Sequence, residues 1–200
     1  QRTDRNTAIK AQLRTAPGAF SPSMEDYTPV TIEGTFLADD EIVLQNRSLD
    51  EVSGYHLITP LETDEGLVVL VDRGWITYEA GTKLDLDAYR LPDTVSIEGV
   101  LLPSQVQPRW KFLADPIPAS GDPPLKTWRV IDIVGIQKQI PFPLHHQFIL
   151  LTKIEPDNGL QPVPDFQLDL SNGPHLSYAI QWFSFAAIAM IGGVIMLRRS

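Results

Sequence analysis

Four histidines occur in a chain that has no cysteine, so imidazole and not thiolate is the side chain with obvious metal chemistry. His175 has the most suggestive setting, just ahead of a long apolar run. Helical steps from it lead to Ala179, Trp182, Ala186, Ala189 and Gly193 on one stripe. Apart from Trp182 these side chains are small, so something broad can approach the backbone there. One occupant is another helix, packed through the small-xxx-small pair Ala189 and Gly193, with His175 as an interfacial hydrogen-bonding group. The other is a porphyrin ring, with His175 within reach of its iron.

The remaining reactive residues carry less. His145 and His146 are adjacent, and neighbours on a strand point to opposite faces, so a surface loop is expected rather than a shared metal. His56 lies inside a strand-like segment and reads as a structural histidine. Asp85 and Asp87 fall in a polar connector and read as a solvated turn. Arg73, at the end of an apolar run, could anchor a carboxylate or simply bond structurally there. No GxSxG, HExxH, P-loop or GxGxxG pattern occurs, so the common hydrolase, metalloprotease and nucleotide-binding classes lack support. A tethered enzyme would need clustered acid and base groups, and none are evident; the expectation is a non-enzyme.

The element that must carry the stripe is Tyr178 to Leu197, about 20 uncharged residues, the length of a transmembrane helix. Arg198 and Arg199 follow, which by the positive-inside tendency predicts a cytoplasmic C-terminus and an extracytoplasmic body. Pro174 after Ser171-Asn172-Gly173 suits a helix start. The expected organisation is a short helix within residues 1–16, an extracytoplasmic β-rich domain over 17–172, and a transmembrane helix with its cytoplasmic end over 173–200. A formal net charge of −9 over 200 residues argues against nucleic acid and against binding to anionic lipid through a basic surface. Without cysteine there is no disulfide framework, thiolate copper chaperone or thiol oxidoreductase.

The body reads as strands. Ile9 and Leu13 stand four apart among charges, as in a short amphipathic helix that Pro17 ends. Val30–Leu37 alternates, with Val30, Ile32 and Phe36 on one side. The turn Asp39-Asp40 predicts Glu41–Arg47 as its hairpin partner. Tyr55–Leu61 follows, with Pro60 marking a strand end or edge. Leu67–Trp75 is almost wholly apolar and predicts a central buried strand, with Gly74 allowing a bulge. VSIEGVLL at 95–102 echoes VTIEGTFL at 30–37, which suggests a sheet or barrel of two similar halves. Six prolines between residues 103 and 126 predict a long loop, with Trp110 and Phe112 tucked against the body or offered to a partner. Thr127–Ile133 reads as a strand, Asp132 caps a short helix to Gln139, and Gln147–Glu155 is a further strand. The fold class is therefore mostly β, sheet-like or barrel-like, with short helices and a C-terminal transmembrane α-helix.

GYHLITPL, LVVLVDRGW, VSIEGVLL and PHLSYAIQWF, in that order, resemble the SURF1 family of assembly factors for haem-copper cytochrome c oxidase. The resemblance runs from about Val30 to the C-terminus, and VDRGW and HLSYAIQW are its specific parts. It implies two transmembrane helices around an extracytoplasmic domain, the first lying upstream of Gln1, in a cell membrane or the mitochondrial inner membrane. It also implies haem a as a transient cofactor, with His175, by its position in HLSYAIQW, as the iron ligand. Trp182 would then pack on the macrocycle, and Ala179, Ala186, Ala189 and Gly193 would make room for it or for a partner helix. The implied partners are the oxidase subunits, above all subunit I, and the lipid bilayer. The alternative is a permanent accessory subunit of an aa3-type oxidase or a respiratory supercomplex.

Overall fold

A computed structural model of the chain describes residues 2–91, 94–110, 112–119, 121–156, 162–164, 180–190 and 198. The chain divides into two compact units, one of Lys10–Gln167 and one of Gln1–Ile9 with Leu168–Ser200.

The larger unit is built on one mixed sheet. Its strands are β1 (Gly18–Ala19), β2 (Pro29–Phe36), β3 (Ile42–Leu49), β4 (Val52–Glu62), β5 (Val68–Thr77), β6 (Val95–Pro103), β7 (Thr127–Trp128) and β8 (Leu144–Glu155). The helices are short: α1 (Arg2–Gln12), α2 (Tyr78–Lys83) and α3 (Ile133–Ile136). The strand order is β1-β2-β6-β8-β5-β4-β3-β7, and β2 also pairs with β4. That pairing closes β2, β6, β8, β5 and β4 into a ring, which removes most of the open edge a flat sheet would leave. Closure depends on Gly34, because a Cβ there would collide with the carbonyl of Glu62 on β4.

Alternation explains which side chains fill the ring. Val30, Ile32 and Phe36 of β2, Val69 and Val71 of β5, Ile97 and Leu101 of β6, and Ile149 and Leu151 of β8 form one buried cluster. Each such side chain contributes roughly 1.5–3 kcal/mol on leaving water. Toward the other end of the same face Val43 of β3, Leu57 of β4 and Ile76 of β5 form a second cluster with Leu86, and Tyr55 and Tyr89 pack against it. β5 is covered on both faces, so its pattern is continuous rather than alternating.

Several expectations change. β3 pairs with β4, Ile42 opposite Ile58, and not with β2 as a hairpin; the 3₁₀ turn Ala38–Asp40 carries the chain past β2 instead of folding it back. The two echoing strands lie side by side, Ile32 opposite Ile97 and Val30 opposite Gly99. His145 and His146 are in strand β8 and not in a loop. Trp110 and Phe112 are exposed, 69% and 76%, where packing against the body was one expectation.

The predicted transmembrane helix is also corrected. Among the described residues no helix is long and apolar enough to cross a membrane. Of the predicted segment 173–200, residues 180–190 and 198 are helical, and the rest lies outside the described residues. An uncharged composition permits a span, but continuous helical length is what makes one.

Candidate functional site

The predicted ligand site falls mostly outside the described residues: His175, Ala179 and Gly193 lie there. Trp182, Ala186 and Ala189 are within the 180–190 helix, and all three are exposed. At steps of four and three they share a face. Trp182 is 70% exposed, and Phe183 and Ile188 nearby are similarly open. The Trp182 ring meets Phe185 edge-on, centroids 6.2 Å apart, and Ser184 donates back to the Ile180 carbonyl at 2.8 Å. A helix with apolar side chains open on every side needs a non-aqueous neighbour. The described part of the stripe suits a flat apolar ring, since an open indole is followed one and two turns later by alanines that hold nothing in its way. Among the described residues no three His, Cys, Asp or Glu side chains are grouped to hold a metal.

The barrel places its own polar residues in two buried layers on either side of β5. Arg73 sits on the ring side and is fully buried. Its guanidinium lies 4.6 Å from the centre of the Phe36 ring and donates to the Tyr89 carbonyl at 2.6 Å. Burial lowers its pKa to about 10, opposed by the nearby Glu41. Glu41 is itself buried and accepts from Thr59 Oγ1 at 3.2 Å. Burial raises the Glu41 pKa, with Arg73 the leading opposing influence. Lys126 Nζ ties this corner down by donating to the carbonyls of Asp39 at 2.9 Å and Glu41 at 3.3 Å. Arg73 is thus spent inside the fold and presents no anchor to a ligand.

On the opposite layer His56 Nδ1 lies 3.0 Å from both carboxylate oxygens of Asp72, and Asp72 Oδ1 also accepts from the Gly74 N–H at 3.1 Å. His56 is the structural histidine its strand setting predicts. Gly74 has φ of 113° and follows the register shift where Leu57 faces Gly74 but Ile58 faces Asp72. That shift is the predicted bulge, with Arg73 as its extra residue, and it lets Asp72 and Arg73 take opposite layers.

His145 is buried, with Nε2 3.1 Å from Gln147 Oε1, and Gln147 donates to Asp26 Oδ1 at 2.7 Å. Burial lowers the His145 pKa. His146 is exposed, and its ring still lies against that of His145, centroids 4.3 Å apart. Asp85 and Asp87 are exposed, and Asp87 pairs with Arg90 at 3.0 Å. Three buried carboxylates among the described residues escaped sequence reasoning. Two are Glu41 and Asp72. The third is Asp115, which pins the Pro-rich loop by accepting from the Arg129 N–H at 3.0 Å. A lone acidic residue among prolines carries no periodic signal that would reveal this.

A model of the SURF1 family matches residues 1–187. An uncharacterised SURF1-like protein of Mycobacterium bovis is 30% identical over 94% of this chain and 69% of its own length. A SURF1-like protein of Rickettsia bellii is 28% identical over 88% of this chain and 73% of its own. One of Monosiga brevicollis is 26% identical over the full chain and 79% of its own length.

Proposed function

The chain belongs to the SURF1 family, known as cytochrome oxidase assembly factors, and from that premise we propose that it aids insertion of haem a into oxidase subunit I without itself catalysing a reaction. The observation that supports a flat, apolar cargo is the open face of the 180–190 helix, where Trp182, Ala186 and Ala189 are uncovered. His175 would offer a neutral imidazole to the iron, and Trp182 would lie against the macrocycle. When bound, the haem would supply an iron for that imidazole to hold. A handover protein must release what it holds, so one protein ligand on an open face suits the task better than an enclosed pocket. The buried Arg73 takes no part, because its donors are directed into the fold.

The test is production of the full chain in a host that makes haem a, comparing the natural protein with His175→Ala. Bound haem should fall at least about tenfold, the scale of losing an axial ligand, while the yield of folded protein is unchanged. Equal haem content in both would remove the ligand assignment.

Exposed Trp110 and Phe112, with ring centroids 6.2 Å apart, favour a second reading in which the chain stays on the oxidase or a supercomplex as an accessory subunit. Purification of the oxidase in mild detergent separates the two. Stoichiometric retention without haem in this chain supports the subunit, and loss on purification supports the transient factor.

A further inference from the structure

Where the barrel closes, β2 is flanked by two different strands on one edge. Its start pairs in parallel with β1, Ala19 opposite Thr31, and the Phe20 N–H donates to the Thr31 carbonyl at 2.9 Å. Its end pairs antiparallel with β4, Thr35 opposite Glu62, and the Leu37 N–H beyond it donates to the Pro60 carbonyl at 2.8 Å. Backbone polar groups alternate sides along a strand. Thr31 and Leu37 both aim at this edge, so Glu33 between them does too. Among the described residues no strand is registered against Glu33 on this side.

A pocket of ≈ 380 Å³ opens over the gap, with Phe20 and Leu67 in its walls. Glu33, Asp64 and Glu65 also line it and are exposed. Among the described residues none of these three carboxylates is in an ion pair. An open rung of ladder, an apolar hollow and unneutralised carboxylates together match an extended peptide bearing cations.

We propose that this seam is a docking edge for an extended segment of a partner polypeptide that carries lysine or arginine at alternate positions. The segment pairs with the N–H and carbonyl of Glu33, sets an apolar side chain over Phe20 and Leu67, and brings its cations to Glu33, Asp64 and Glu65. One open rung makes the contact weak and salt-sensitive. None of these residues enters the haem reading, so the two fail independently.

The probe is a blocked decapeptide of alternating lysine and valine, titrated by NMR into the isotope-labelled full chain. Shifts should centre on Phe20, on residues 32–34 and on residues 64–67. Hydrogen exchange at the Glu33 amide should slow by about tenfold, because that N–H gains a partner. Glu33→Pro removes the donor on the seam side only, so binding should be lost with the fold's circular dichroism intact. Asp64→Lys combined with Glu65→Lys should weaken binding by about tenfold, and this variant decides the matter if the proline variant does not fold. The proposal is overturned by natural affinity in these variants, by shifts centred elsewhere, by unchanged Glu33 exchange, or by equal binding of a glutamate–valine decapeptide.

Discussion

Replacing Arg73 with methionine probes the most expensive group in the barrel. Burial lowers its pKa to about 10, which at ~1.4 kcal/mol for each tenfold change in proton affinity amounts to about 3.5 kcal/mol. That is what burying the cation costs after the attraction of Glu41 has been counted. Removing the cation alone does not recover it. Glu41 then remains buried with Thr59 donating to it, and the Tyr89 carbonyl loses the donor it had at 2.6 Å. Breaking one side of a buried charge pair costs roughly 3–5 kcal/mol, so Arg73→Met should lose about 3 kcal/mol at pH 7. Arg73→Met with Glu41→Gln should win back about 2 kcal/mol or more, since no buried charge is left over.

The pH dependence gives an independent check. The folded pKa of Glu41 is raised above 4.5, so its contribution is most favourable when protonated and declines as pH rises from 4.5 through the folded value. Without Arg73 the folded value moves further up, and the deficit of Arg73→Met grows between pH 4.5 and 7. Urea unfolding followed by tryptophan fluorescence measures it, because Trp128 is fully buried in the barrel unit. Equal deficits at both pH values, or a double variant as unstable as the single one, would refute the reasoning.

Gly74→Ala should cost about 2 kcal/mol or more, since φ is 113° and the added Cβ meets the Val163 carbonyl; Gly66→Ala, with φ of 76° and open space, should cost about half of that. Comparison of the two unfolding midpoints checks it. The His145 pKa is lowered by burial, with His146 adding to the effect and Gln147 opposing it. Its contribution is therefore present above 6.5 and lost as pH falls through 6.5 toward the folded value, and His145→Gln should flatten stability across that window. Trp110→Ser with Phe112→Ser should shift stability by less than ~0.5 kcal/mol, since both rings face solvent; a larger loss by urea unfolding would mean that the loop packs on the barrel.

Strands were legible where burial imposes a period. β2 and β6 alternate, and β5 and β8 carry near-continuous apolar runs, so each segment announces the faces it must cover. α2 was missed although its start is chemically plain: Thr77 Oγ1 accepts from the Ala80 N–H at 3.2 Å, an ordinary N-cap. The hairpin assigned to β2 and β3 failed because a turn fixes only that the chain reverses, not which neighbour it joins. Of the stripe, the described part shows that Trp182, Ala186 and Ala189 share an exposed face, and among the described residues no helix is long and apolar enough to cross a membrane.

By itself the sequence determined the strand segments, the absence of thiol chemistry, the punctuation by glycine and proline, and the motifs by which the family is recognised. These are local properties, written in side-chain size, polarity and spacing. The tertiary structure alone decided that β2 closes against β4, that Arg73 and Glu41 are both buried and near enough to influence each other, and that Glu33 is left on an open rung. Those facts depend on contacts between residues far apart in the chain, and such contacts leave no periodic trace in either partner.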